Sequence, residues 1–181
     1  MMETKDLILR KAEFDDWKAM YRNVWSHPET ARYMMWRVTE TEEAAQERIR
    51  RTIEFQKAHD TFFVCEKKSG QPIGFAGWEE LAPHSFRETG IALGPEYVGR
   101  GYGKQIVNFL LEYCRDSLGG REFYYYARAK NTASNALALS CGFVYQRSEQ
   151  RIDDRNGEAY ELRIYRKELN RKNFQKSELS I

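Results

Sequence analysis

The chain has 181 residues and a formal net charge of +2, with charges of both signs mixed along its length. That length suits one domain with a single buried core, and the mixed charge argues against a dedicated nucleic-acid protein, which carries a basic face. No apolar run is long enough to span a membrane and the start lacks a signal-peptide pattern, so a cytoplasmic protein is expected.

Residues 7–9 form a short apolar strand. Asp15 and Asp16 open a helix whose inner face is Trp17, Met20, Tyr21, Val24 and Trp25, and His27-Pro28 ends it. Residues 29–39 are aromatic and irregular, with Tyr33, Met34, Met35 and Trp36. Thr41-Glu42-Glu43 starts a second helix that turns Ala45, Ile49, Ile53 and Phe55 inward. Strands are predicted over 61–66, 73–79 and 86–94. A helix following the glycine-rich stretch 95–104 places Ile106, Val107, Leu110, Leu111, Cys114 and Leu118 on one face and ends near Gly119-Gly120. Residues 123–128 alternate as an aromatic strand. Asn131 or Thr132 caps a short helix that Gly142 terminates. Residues 143–151 and 158–166 pair as a hairpin around Asp154-Arg155-Asn156-Gly157, and a polar tail starts at Asn170. The order β-α-α-β-β-β-α-β-α-β-β describes an α/β protein with a mixed sheet, one domain over 1–169 and a tail over 170–181. Cys65, Cys114 and Cys141 are far apart and odd in number, and read as reduced core thiols.

The stretch Pro95-Glu96-Tyr97-Val98-Gly99-Arg100-Gly101-Tyr102-Gly103-Lys104 lies between the apolar run Ile91, Ala92, Leu93 and a helix start. Free amides and the positive end of the helix dipole make such a junction an anion site. Gly99, Gly101 and Gly103 keep Cβ atoms away so that a phosphate can approach the backbone, and Lys104 adds a mobile charge. A P-loop is excluded because Val98 and Gln105 stand where Gly and Ser or Thr are needed. A dinucleotide fingerprint is excluded because Lys104 stands where its last Gly falls. A phosphorylated ligand of another kind is expected, with a plain helix-capping turn as the alternative.

Taken together these features resemble the GNAT acetyltransferase superfamily from Leu7 to Leu169, and within it the ribosomal-protein N-acetyltransferase (Rim-type) branch. The resemblance rests on the opening Leu-Ile-Leu-Arg with Asp15-Asp16, on Ile73-Gly74, on the acyl-CoA motif at Val98-Gly99-Arg100-Gly101-Tyr102-Gly103, and on Asn131, Ser134, Gly142 and Phe143. It implies direct transfer of an acetyl group from acetyl-CoA to a primary amine, either a protein N-terminus or a small molecule. It also implies that residues 98–104 hold the pyrophosphate, that the backbone of Ile91, Ala92 and Leu93 polarises the thioester carbonyl, and that Asn131 bonds the pantetheine arm. A protonated amine cannot attack, and an α-amine of pKa about 8 is roughly one-tenth neutral at pH 7. The resemblance makes Glu88 the carboxylate that takes the proton, with Glu79 and Glu80 in reserve, and Ser134 the donor to the sulfur. His84, beside Pro83, reads as solvated. Tyr33 and Trp36 fall in the segment that relatives use to wall the acceptor side.

Two positions depart from the family pattern. Val98 replaces a Gln or Arg, and Ala138 stands where many relatives carry a Tyr that protonates the thiolate. Ala138 keeps a non-catalytic acyl-CoA-binding module open as the alternative. A nucleotide hydrolase is disfavoured by the residue after Lys104. No metal, nucleic acid or membrane partner is expected, and a homodimer through the C-terminal hairpin stays open.

Overall fold

The run Phe62-Phe63-Val64-Cys65 is apolar at every position because the sheet is covered on both faces. In a computed structural model describing residues 2–170, Phe62 and Val64 join one core and Phe63 and Cys65 the other. The elements in chain order are β1 (Met2–Glu3), β2 (Leu7–Arg10), α1 (Asp16–Met20), a π-helical turn (Tyr21–Trp25), α2 (Pro28–Ala31), α3 (Glu42–Ala58), β3 (Thr61–Glu66), β4 (Pro72–Ala82), β5 (Ser85–Glu88), β6 (Ala92–Leu93), a 3-10 turn (Pro95–Tyr97), α4 (Tyr102–Asp116), β7 (Glu122–Arg128), α5 (Thr132–Ser140), β8 (Val144–Ile152) and β9 (Ala159–Glu168). α4 and α5 pack on one face through Ile106, Val107, Leu110, Leu111, Cys114 and Ala138. Trp17, Met20, Val24, Trp25, Ala45 and Ile49 cover the other.

The sheet runs β1-β2-β3-β4-β5-β7-β9-β8, with β6 beside β4 off that path. Among the described residues, only β5 and β7 pair in parallel. The strand predicted over 86–94 is therefore two strands. Glu88 ends β5 opposite Trp78, while Ala92 and Leu93 of β6 lie opposite Phe75 and Gly74, and residues 89–91 form the break. The β5–β7 ladder stops at Arg87↔Tyr124, but β7 continues along β9 as far as Arg128↔Leu162. Since β6 has no pairing with β7, a wedge opens between β6 and the second half of β7.

Local chemistry explains most of the boundaries. Thr41 caps α3, its hydroxyl accepting the Ala44 N–H at 3.2 Å. Asn131, rather than Thr132, caps α5, and Gly142 stops it at φ 79°. Other expectations need correction. The first helix is α only to Met20 and then widens into a π turn, a form that suits a site where extra side chains must point inward. Phe55 is 52% exposed and stacks on His59, and Leu118 is 38% exposed beyond the end of α4. The hairpin forms around the expected turn, its loop of residues 153–158 closed by the Gly157 N–H on the Asp153 carbonyl at 2.7 Å. The tail expected from Asn170 lies, beyond that residue, outside the described residues.

Candidate active site at the strand splay

Gly99 and Gly101 both adopt left-handed φ, 77° and 78°, which an L side chain resists. No heavy atom lies within 4 Å of a Cβ placed on either one, so the concave side of the loop is open. No side chain caps α4, and its first helical bond runs from the Gln105 N–H to the Gly101 carbonyl at 3.2 Å. The amides ahead of Gln105 are thus left at the positive end of the helix, and Lys104 beside them is exposed. Backbone donors, an open cradle and a cation fit a pyrophosphate. Gly103 has a second constraint. A Cβ there would sit 3.1 Å from Leu137 Cδ2, so close packing of α4 on α5 also favours glycine.

What braces this loop comes from distant segments. Buried Glu66 accepts the Tyr102 hydroxyl at 2.9 Å and the Ser69 hydroxyl at 3.0 Å, and pairs with Arg100 at 3.5 Å. Gln105 accepts from the Thr4 hydroxyl at 2.8 Å and donates to Asp6 at 2.8 Å. Glu66 ends an apolar strand beside a turn, where a carboxylate reads as solvated, and its partners in the glycine loop are 34 and 36 positions away.

At the mouth of the wedge, Glu88 is only 9% exposed. One carboxylate oxygen accepts the Tyr126 N–H at 3.1 Å and the other the Gly90 N–H at 2.5 Å, so the side chain bridges the two diverging strands. Burial pushes its pKa up, against the pull of those two N–H groups. On β7 the buried Tyr125 hydroxyl lies 2.9 Å from Ser134 Oγ. Burial, reinforced by the charge of Glu88, holds the Tyr125 proton tightly. The Ser134 N–H donates to Asn131 Oδ1 at 3.1 Å. Asn135, also unforeseen, donates to the Arg128 and Asn131 carbonyls and accepts from the Tyr165 hydroxyl at 2.5 Å, fastening the β7–α5 corner. Ala138 is fully buried in the core, and the hydroxyl nearest Ser134 comes from Tyr125 on the adjacent strand.

The reserve carboxylates are committed elsewhere. Glu79 pairs with Arg87, whose guanidinium lies 5.3 Å from the Tyr126 ring centre. Glu80 accepts the His84 N–H at 2.9 Å within the β4–β5 turn. All three cysteines are buried and free. Burial pushes the Cys65 thiol up to about 11 and Cys114 to about 12, so neither is a nucleophile near neutral pH.

On the acceptor side, the Tyr33 hydroxyl donates to the Lys130 carbonyl at 3.1 Å, next to Asn131. Trp36 is directed away from that corner, its ring 6.5 Å from Phe75. Arg155 donates to the carbonyls of Ala31 and Trp36, each at 3.1 Å, and so straps the 31–36 segment to the hairpin loop. Its anchor is Asp153, 2% exposed, which pairs with Arg155 at 2.7 Å and Arg128 at 2.8 Å. Arg155 is the main cause that holds the Asp153 carboxyl well below the usual range.

Comparison with known proteins fits this geometry. A family profile described as an Acetyltransferase (GNAT) domain matches residues 6–144. The uncharacterized N-acetyltransferase YoaA of Bacillus subtilis (strain 168) is 26% identical over 168 residues, covering 91% of this chain and 94% of its own. The N-alpha-acetyltransferase RimI of Mycobacterium tuberculosis is 32% identical over 84 residues, 45% of this chain and 51% of its own. Among solved structures, the spermidine N-acetyltransferase of Vibrio cholerae in complex with CoA and spermine superposes with a TM-score of 0.72. It is 20% identical, and the match covers 92% of this chain and 97% of that one. The splayed sheet, the glycine loop and a profile match across most of the chain lead to one conclusion: this chain belongs to the GNAT acetyltransferases, enzymes that take their acetyl group from acetyl-CoA.

Proposed function

We propose that the wedge acetylates a single primary amine, such as a peptide N-terminus, with Glu88 as proton acceptor. The observation that carries this reading is the placement of Glu88: a buried carboxylate of raised pKa at the divergence of β5 and β7. Bound acetyl-CoA supplies an acetyl group already activated as a thioester. The amides at the start of α4, with Val98, Gly99, Arg100, Gly101, Tyr102, Gly103 and Lys104, hold its pyrophosphate. β6 pairs with β4 on one side only. Its open edge, Ile91 to Leu93, offers an N–H to the acetyl carbonyl. Asn131 positions the pantetheine arm while capping α5.

Glu88 draws the proton from the incoming ammonium, directly or through a water, and leaves a neutral amine to attack. Each carboxylate oxygen has a second lone pair beyond its backbone N–H partner, so acceptor capacity remains. Ser134, hydrogen-bonded to Tyr125, delivers a proton to the sulfur. A thiol of pKa about 8.5 leaves readily, so this donor needs little strength.

Tyr33 walls the acceptor, while Trp36 turns away from it toward Phe75. A polyamine needs several carboxylates, but Asp153 on this side is already neutralised by two guanidiniums. That favours one amine over a polycation, in line with the N-alpha activity named for RimI and unlike the spermine-bound relative.

The test is CoA release with a panel of free N-terminal peptides and with spermidine, with acetylation located by mass spectrometry. Acetylated peptide N-termini are the expected products. If acetyl-CoA binds but no amine is acetylated, the chain is a binding module. If spermidine is preferred, the acceptor assignment fails.

A further inference from the structure

A concavity apart from the wedge lies between α3 and residues 36–41, with a volume of about 710 Å³. Arg37, Arg48 and Arg51 line it with one acidic residue, Glu40, and the Arg37 guanidinium is engaged by the Arg155 carbonyl at 3.0 Å. Arg48 is sandwiched between two indoles, 4.6 Å from the Trp25 ring centre and 4.2 Å from that of Trp36. One of its nitrogens donates to Thr39 Oγ1 at 2.9 Å. No carboxylate pairs with Arg48 among the described residues; burial and the like charge of Arg51 push its pKa down to about 10. A cation taken out of water is ordinarily matched by an anion. Trp36 Nε1, in the same wall, is buried and has no hydrogen-bond partner. Arg51 is held only loosely, 3.8 Å from Glu47 on the exposed side of α3. Phe55, which the core does not take up, closes one end of the cavity.

We propose that this cavity binds a small organic oxyanion, a carboxylate or phosphate monoester with an aromatic body. Arg48 and Arg51 hold the anion, the Trp36 N–H donates to it, and Trp36 and Phe55 pack on the body. The planar fork of Arg48, fixed by two rings, is suited to a two-oxygen acceptor. The cavity is distinct from the glycine loop, since α3 and α4 cover opposite faces of the sheet. Its wall is the continuation of the segment that Arg155 straps at the Trp36 carbonyl, so an occupant steadies the acceptor side from behind.

The test is calorimetric titration of the whole chain with benzoate, phenyl phosphate and neutral benzyl alcohol, with and without saturating acetyl-CoA. Indole N–H signals are followed by NMR, with Trp36 assigned through Trp36→Phe. At least one anion should bind saturably, the alcohol should not, and acetyl-CoA should leave binding in place. Which anion binds identifies carboxylate or phosphate as the source. Arg48→Lys, which keeps the charge but loses the fork, and Arg51→Ala should each weaken binding by about tenfold or more, and the Trp36 signal should move on saturation. Arg51→Ala, at an exposed position, keeps the test valid if Arg48→Lys does not fold. The proposal is overturned if neither anion binds, if acetyl-CoA displaces it, if binding survives the arginine changes, or if the Trp36 signal stays still. None of these readouts depends on turnover.

Discussion

Two opposing pulls meet at Glu88. Desolvation favours its neutral form, and the N–H groups of Tyr126 and Gly90 favour its charged form; desolvation wins and the pKa is raised. A carboxyl raised in the folded state adds no penalty below the ordinary Glu range, near about 4.3. It subtracts stability as pH climbs from there through the folded pKa, and the loss is constant above it. Glu88→Gln should erase that pH-dependent loss, which denaturant melts at a series of pH values would reveal. The same substitution should cut turnover by about 10²-fold or more while acetyl-CoA affinity, read by calorimetry, stays nearly constant. It should also remove the acid limb of the kcat/KM profile. Ser134→Ala is expected to be milder. Because thiolate leaves readily, its effect on kcat should fall below the roughly 10²-fold usual for a general acid, with KM for acetyl-CoA unchanged. Steady-state kinetics separate the two cases. Glu88 and Ser134 were legible as candidates only through the family resemblance. Tyr125 was not, since an alternating aromatic strand reads as packing, and only the fold sets its hydroxyl against Ser134 nine residues on.

The glycine loop and α4 were readable because their causes are local: turn residues, an apolar stripe and a helix start within about one turn of each other. The break in the 86–94 strand was not readable. Thr89-Gly90-Ile91 continues an extended pattern, and the interruption arises because β4 pairs with β5 at one end and β6 at the other. The roles of the glycines also needed the fold. Gly99→Ala and Gly101→Ala meet no steric obstacle, so each should cost about 1–2 kcal/mol of left-handed strain and raise the KM for acetyl-CoA. Gly103→Ala should instead press α4 away from Leu137. The added change Leu137→Ala should recover part of the lost stability, and a double-mutant cycle of melts gives the coupling. Full additivity in that cycle would show that the α4–α5 contact is not what demands glycine.

Across the whole molecule, the acceptor side is assembled from segments more than a hundred residues apart, which no local pattern announces: Arg155 reaches the Ala31 and Trp36 carbonyls from the hairpin loop. Its anchor Asp153 has a depressed pKa. The stabilisation it gives is present above the ordinary Asp range, near about 3.9, and is lost as pH falls through the lower folded value, so the strap persists at neutral pH. Asp153→Asn should lower the melting temperature and raise the KM for the amine, leaving acetyl-CoA affinity unchanged; a changed acetyl-CoA affinity with normal amine KM would contradict the strap. The divided strand has another consequence. β1, β2, β3, β4 and β6 form one ladder, β5, β7, β9 and β8 another, and among the described residues the strand bonds between them run from β4 to β5 at Trp78, Glu79, Glu80 and Ala82. The sheet therefore behaves as two leaves on a short spine, held otherwise by side-chain packing under α4 and by the Glu88 bridge to Tyr126. Amide exchange should resolve them as two cooperative opening units. Acetyl-CoA lodged between the leaves should slow exchange in both at once, by a factor that grows with its concentration.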